Sequence, residues 1–68
     1  MIKSQIGTNA GEIWQFLNKN GDKSIVEIAK AMKMKTNDVL MALGWLAREN
    51  KVFFYEENEG VFVTLIFD

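Results

Sequence analysis

Few side chains in this sequence could do chemistry, and they do not form a catalytic set. The 68 residues include no histidine and no cysteine, so the commonest general base, the thiol nucleophile and thiolate metal ligands are missing. No glycine-rich phosphate loop follows a strand, and no spacing of carboxylates resembles a calcium loop. The sequence therefore predicts a non-enzymatic protein with no cofactor and no metal site.

Side chains suited to binding lie between residues 33 and 48. Lysines contact phosphates, and asparagine and arginine can also hydrogen-bond to base edges. The candidate nucleic-acid contacts are four such residues and one apolar neighbour: Lys33, Lys35, Asn37, Met41 and Arg48. The overall charge of the chain does not favour nucleic-acid binding. Its net charge is −1 and its pI about 5.3, whereas nucleic-acid-binding domains usually carry a basic excess.

Three carboxylates near the C-terminal end also weigh against nucleic-acid binding. Glu56, Glu57 and Glu59 surround Asn58 ahead of Gly60, and carboxylates repel a phosphate backbone. The more ordinary interpretation of this segment is a solvated acidic turn that keeps the domain soluble.

Helical spacing predicts the first element that supports these residues. Apolar residues recur at the i, i+3, i+4 and i+7 positions of one buried face: Ala10, Ile13, Trp14 and Leu17. Thr8 or Asn9 is suited to cap this helix, and Gly21 is suited to end it. We expect the helix to run from about Asn9 to Lys19.

Two shorter helices follow. Ser24 and Glu27 form a capping box, which starts a second helix that ends near Met32. Thr36 is the expected cap of a third helix, whose buried face holds Val39, Ala42, Leu43, Leu46 and Ala47. At 100° per residue, the opposite face contains Asn37, Met41, Gly44 and Arg48, with Asp38 and Trp45 beside them.

The hydrophobic period changes from 3.6 to 2 near residue 51. Residues 52–55 and 61–67 are rich in β-branched and aromatic side chains and flank the polar turn 58–60, which predicts a β-hairpin. Residues near Lys23 could add a short third strand. The predicted fold is α+β, a three-helix bundle followed by a C-terminal two-stranded hairpin, in a single domain covering residues 1–68.

Residues 27–36 resemble the first helix and the turn of the helix-turn-helix motif of bacterial regulators. Ala29 matches the position at which the motif has a small residue, so that the two helices can cross closely. Met34 matches the apolar position of the turn. Residues 43–52 are similar to a family of compact, stand-alone winged helix-turn-helix proteins of uncharacterised function. The resemblance implies a winged helix-turn-helix fold and a transcription-regulator-like function, with the third helix entering the DNA major groove.

Lys33 departs from that motif, which usually has glycine in the turn because a left-handed backbone is required there. A left-handed conformation costs a lysine about 1–2 kcal/mol. Two alternatives stay open: the core compensates for this cost, or the turn has a different geometry.

The last predicted strand is apolar on both faces. Alternation directs Val61, Val63, Leu65 and Phe67 to one face and Phe62 and Ile66 to the other. Three short helices can cover one face of the hairpin, so we expect the second face or the exposed edge to pair with another copy in a homodimer. The alternative is that helix one and the N-terminal residues Ile2 and Ile6 cover it.

A protein-interaction or homodimerisation module that keeps the fold without binding DNA is therefore the alternative function. Trp45 either packs against the hairpin as part of the core or contacts a partner, since tryptophan is common at interface hot spots. The candidate partner-interface residues are Trp45, Phe62, Ile66 and Phe67. The expected partners are duplex DNA, a second copy of the chain or another protein.

The N-terminal residues lack the long apolar run of a signal peptide, and no apolar run elsewhere is long enough to span a membrane. We therefore expect a cytoplasmic location and no membrane partner.

Overall fold

The computed structural model describes residues 2–67, in which three helices and a short strand precede a hairpin. The elements are α1 Ile2–Asn20, β1 Lys23–Ser24, α2 Ile25–Met32, α3 Thr36–Arg48, β2 Val52–Glu57 and β3 Gly60–Leu65. The strands form an antiparallel sheet in the order β1-β3-β2. The predicted α+β winged helix-turn-helix architecture is confirmed, including the short third strand near residue 23.

The hydrophobic core lies between the three helices and one face of the sheet. Ile13 of α1, Ile28 of α2, Leu43 of α3 and Val63 of β3 are each at most 1% exposed. Side chains from all three helices and from the central strand therefore share one buried cluster. The hairpin packs on the helices, and each buried methylene contributes about 0.8 kcal/mol to holding it there.

Helix α1 begins at Ile2, seven residues before the start that the sequence predicts. The Thr8 hydroxyl does not cap a helix; it donates a hydrogen bond to the Ser4 carbonyl within α1, at 3.0 Å. The prediction was wrong because the first two turns pack along α3, a long-range contact that overrides local start signals. The predicted stop is correct: Gly21 has φ +84°, and its N–H donates to the Leu17 carbonyl at 2.8 Å.

The capping box at the start of α2 forms as predicted. The Ser24 hydroxyl accepts a hydrogen bond from the Glu27 N–H at 3.0 Å, and Glu27 Oε1 accepts one from the Ser24 N–H at 2.8 Å. The bond from the Ser24 backbone lowers the pKa of Glu27 below its ordinary value, since it favours the ionised carboxylate. These two hydrogen bonds connect the end of β1 to the first turn of α2.

Helix α2 ends at Lys33, which has φ 55° and ψ 43° in the left-handed region. Its N–H donates to the Lys30 carbonyl at 3.3 Å, and the Met34 N–H donates to the Ala29 carbonyl at 3.0 Å. These two bonds are those of a Schellman motif, which usually has glycine at the left-handed position. The left-handed geometry implied by the resemblance is therefore present, and lysine adopts it.

Helix α3 starts without a side-chain cap. Lys35 is the last extended residue before the helix, with φ −67° and ψ 146°, and its side chain makes no capping hydrogen bond. Thr36 is the first helical residue, so the prediction that Thr36 caps α3 was wrong by one position. The Schellman motif ends α2 at Lys33. The short connection that follows makes Lys35 the residue before α3.

The hairpin has a two-residue turn at Asn58 and Glu59, with φ of 51° and 63°. Two successive positive φ values define a type I′ turn, whose twist matches that of paired strands. Strands β2 and β3 pair without interruption from Val52 opposite Leu65 to Glu57 opposite Gly60. The strand ends before Ile66 and Phe67, so the alternation predicted through residue 67 stops at Leu65.

Replacing Lys33 with glycine is expected to stabilise the fold. Glycine adopts the left-handed conformation without the steric cost that a side chain incurs, so Lys33→Gly should raise the free energy of unfolding by about 1 kcal/mol. Urea denaturation followed by circular dichroism measures the change. The matched control is Lys30→Gly inside α2, which should lower the free energy of unfolding by about 1 kcal/mol. Equal destabilisation by both variants would contradict a left-handed Lys33.

Candidate nucleic-acid interface

Three exposed lysines surround the turn between α2 and α3. Lys33 and Lys35 lie in the turn itself, and Lys30 lies one helical turn earlier, its carbonyl accepting the Lys33 N–H. None of the three forms an ion pair within residues 2–67. Sequence reasoning missed Lys30, although its spacing of three residues from Lys33 in a helix was a usable signal. Together these residues, the turn lysines, present unneutralised positive charge.

The outward face of α3 begins beside the turn lysines. Asn37 is exposed in its first turn, and Met41 and Gly44 are exposed further along, on the side opposite the core residues Val39 and Leu43. Leu40 is also exposed, and the predicted face did not include it. The helix therefore presents one amide and a mostly apolar surface rather than a row of basic side chains.

Arg48 lies at the other end of α3 from the turn lysines. At 1.5 Å per residue, it is about 16 Å along the helix from Asn37. Its side chain is 85% exposed, and its Nη1 lies 3.5 Å from Oε2 of Glu49. Arg48 borders a groove with Lys3 of α1. The structure does not bring Arg48 together with Lys33 and Lys35, and Lys3 was missed because α1 was expected to start at Asn9.

Trp45 packs against α1, which corrects the interpretation that places it against the hairpin. Its Cζ2 atom lies 3.9 Å from the position that a β-carbon would occupy on Gly7. Trp45 and Trp14 line the same groove between α1 and α3. With 39% of its surface exposed, Trp45 both joins the two helices and remains accessible to a partner.

The outer face of the sheet carries aromatic side chains. Tyr55 and Phe62 sit opposite each other in the register, and their rings stack with centroids 5.6 Å apart. The Tyr55 hydroxyl donates a hydrogen bond to Oδ2 of Asp22 at 2.9 Å, which raises the pKa of Tyr55 above its ordinary value. This bond joins β2 to the residues between α1 and β1.

The predicted interface residues of the C-terminal segment have different surroundings. Phe62 is half-buried beneath its stack with Tyr55. Ile66 is half-buried, and its N–H donates to the Lys51 carbonyl at 2.8 Å. Phe67 is 70% exposed. The alternative in which Ile2 and Ile6 cover the sheet was wrong, because both line a cavity against α3.

The wing tip is acidic in the structure. Glu56, Glu57 and Glu59 are all exposed around Asn58, and residues 52–65 contain neither lysine nor arginine. Within the described chain, no group of three or more carboxylates is arranged to hold a metal ion. Residues 2–67 also contain no helix with the length and apolar content needed to cross a membrane.

Three helices, a helix-turn-helix between α2 and α3, and a C-terminal hairpin on a three-stranded sheet define a winged helix domain. The chain belongs to a family of such domains. Its residues 1–65 match the family described as Winged helix-turn-helix domain (DUF2582).

Relatives of the chain include proteins with and without a described ligand. It is similar to the uncharacterised protein MJ1608 of Methanocaldococcus jannaschii, with 40% identity over 64 residues covering 90% of each chain. The solution NMR structure of BT2368 from Bacteroides thetaiotaomicron has a TM-score of 0.85 at 37% identity, covering 96% of this chain and 79% of that one. The Zalpha domain of PKZ from Carassius auratus, solved in complex with Z-DNA, has a TM-score of 0.75 at 29% identity, covering 97% of this chain and 100% of that one.

The hydrogen bond between Tyr55 and Asp22 should be visible in a pH titration. Tyr55 is the only tyrosine, so absorbance at 295 nm reports its ionisation alone. We expect a midpoint above the ordinary tyrosine pKa in the native protein and a lower one in Asp22→Ala. Because the folded pKa is raised, the stability from this bond is present below the unfolded pKa and is lost as pH rises through the folded value.

The matched control for this titration is Asp38→Ala, which removes a carboxylate from α3 instead. The midpoint of Tyr55 should be the same in this variant as in the native protein. A native midpoint that Asp22→Ala leaves unchanged would show that β2 is not joined to Asp22 in solution.

Proposed function

We propose that this domain binds duplex DNA through the turn lysines and the outward face of α3, as a transcription-regulator-like module without enzymatic activity. The observation that carries the proposal is the exposed set Lys30, Lys33 and Lys35 around the turn before α3, which forms no ion pair within residues 2–67. The Zalpha domain solved with Z-DNA, at 29% identity, supports it as a relative of the same fold. We also retain the predicted cytoplasmic location as part of the proposal.

The charges on this surface imply contact with the DNA backbone rather than extensive base readout. Lysine ammonium groups neutralise phosphates without regard to sequence. Asn37 is the one amide of the face placed to reach a base edge, and Leu40 and Met41 suit apolar contact such as a thymine methyl group. The acidic wing tip is repelled by phosphate, so binding proceeds through the helix-turn-helix with the wing tip held away from the duplex.

Gly44 leaves the middle of the outward face of α3 without a side chain. Glycine inside a helix costs about 1 kcal/mol relative to alanine. A β-carbon at Gly44 would meet no other part of the described chain within 4 Å, so packing within the domain does not require glycine there. An exposed glycine in the middle of this face lets a partner backbone come close to the helix.

Salt dependence provides the first test. Three phosphate contacts predict that log K falls against log salt concentration with a slope of about −2.7. Lys33→Ala/Lys35→Ala should reduce the slope by about 2 and weaken binding at low salt. Fluorescence anisotropy with a right-handed duplex and with a duplex held in the left-handed form measures both quantities and shows which form is bound.

The matched control for the lysine variants is Lys19→Ala, which removes an exposed lysine from the last turn of α1. Lys19→Ala should leave both slope and affinity unchanged. No binding to either duplex at low salt, or equal loss in Lys19→Ala, would overturn the proposal.

A substitution at Gly44 tests whether α3 itself faces the duplex. Gly44→Leu introduces a side chain at the centre of the proposed interface and should reduce affinity about tenfold or more, while the domain stays folded because the position is open. Gly11→Leu on α1 is the matched control, since its β-carbon position is equally open. Anisotropy and circular dichroism measure binding and folding. Unchanged affinity in Gly44→Leu would remove α3 from the interface.

A protein-interaction module is the second candidate, favoured by the exposed apolar side chains of α3 and the acidic wing tip. Leu40, Met41 and Trp45 expose more apolar surface on α3 than backbone contact with DNA requires. Amide shift changes at Trp45 on adding a protein partner, with none on adding either duplex, would favour this function over the first.

A further inference from the structure

Strand β2 forms a free edge of the sheet. The order β1-β3-β2 leaves its outer side without a partner strand in the described chain. The Lys51 carbonyl accepts the Ile66 N–H, and antiparallel strands alternate between residues that bond inward and outward. Phe53 and Tyr55 therefore bond to β3, whereas Val52, Phe54 and Glu56 direct their N–H and C=O groups outward.

Strand β2 lacks three of the features that usually prevent pairing at an edge, and its charged residues, Glu56 and Glu57, lie together at one end. Natural edges are commonly interrupted by lysine, proline or a bulge. Residues 52–57 contain neither lysine nor proline, and their pairing with β3 has no bulge. Phe53 and Phe54 lie on opposite faces and are 54% and 41% exposed, so both faces beside the edge have apolar surface to bury.

We propose that β2 pairs antiparallel with β2 of a second copy, about a twofold axis at Phe54. In this register Phe54 meets Phe54, Val52 meets Glu56, Phe53 meets Tyr55 and Lys51 meets Glu57. The residues with outward backbone groups then meet one another as hydrogen-bonded pairs. Side chains on the same face also stay together, as an isologous interface requires.

The charges at the two ends of β2 select this arrangement. Lys51 precedes the strand and Glu57 ends it, so antiparallel pairing places opposite charges together at both ends. Parallel pairing would instead put the glutamates of the two copies side by side. Moving the axis to Tyr55 would place Glu57 opposite Phe53, and moving it to Phe53 would place Glu57 opposite Glu49, so either shift separates Glu57 from Lys51. The charges at the ends of this edge therefore match in one register.

Sedimentation velocity from micromolar to millimolar protein, without nucleic acid, tests the association. We expect monomers at low concentration and dimers at high concentration. Lys51→Glu places glutamates opposite each other at both ends and should weaken the dimer about tenfold. Lys51→Glu/Glu57→Lys restores opposite charges and should recover most of the affinity, with circular dichroism confirming the fold of each variant.

The register has its own test in a mixture of isotope-labelled and unlabelled protein. Residues opposite each other in a non-hydrogen-bonded antiparallel pair bring their α-carbons to about 4.5 Å. An intermolecular NOE between the α-protons of Phe53 and Tyr55 is therefore expected. Monomers at millimolar concentration, no rescue by the double charge exchange, or intermolecular NOEs confined to other residues would each overturn the proposal.

Discussion

The hydrophobic core that Val63 shares with the three helices is the interaction on which the rest of the structure depends. Val63 is fully buried in one cluster with Ile13, Ile28 and Leu43. A chain of about this length buries only about 60% of the surface it exposes when unfolded. It has no disulfide to supplement the core. The central strand must therefore stay on the helices, and this docking directs the opposite face of the sheet, with Tyr55 and Phe62, outward.

The same packing explains why a strained turn can be stable. Ala29 and Met34 both pack against the core, and the Met34 N–H donates to the Ala29 carbonyl. These contacts hold Lys33 between them in a left-handed conformation that lysine disfavours. Strain of about 1–2 kcal/mol is small beside the burial of several apolar side chains. Its consequence is a fixed turn, with Lys33 and Lys35 on the surface beside α3.

The sequence predicted those features that local chemistry determines. Ser24 and Glu27 predicted the start of α2, Gly21 predicted the end of α1, and the change of period near residue 51 predicted the hairpin. Contacts between distant segments were not predictable in this way. The first turns of α1 lie beside α3, where Ile2, Ile6 and Met41 line one cavity, and no local start signal encodes that arrangement.

The residues of the candidate site also separate into those that local spacing predicts and those that depend on contacts between distant segments. Helical spacing was sufficient to place Asn37 and Met41 on the outward face of α3. It was insufficient for Trp45, whose partner is Gly7 on another helix. The distance of Arg48 from the turn lysines, in contrast, follows from the rise of a helix alone. The free edge of the sheet also required the strand order, since an alternating pattern does not reveal which strand lies in the middle.

Pairing through β2 would strengthen the proposed binding of DNA by the turn lysines. Three lysines provide weak attraction to DNA, because affinity at physiological salt grows with the number of phosphates neutralised. The acidic wing tip adds no further contact. A dimer paired through β2 would carry six turn lysines, and binding of the second copy to the same duplex would be intramolecular. Six contacts reach the range in which phosphate neutralisation gives strong, steeply salt-dependent binding. Self-association would thus double the number of phosphate contacts, although the net charge stays negative, at −1 for each chain.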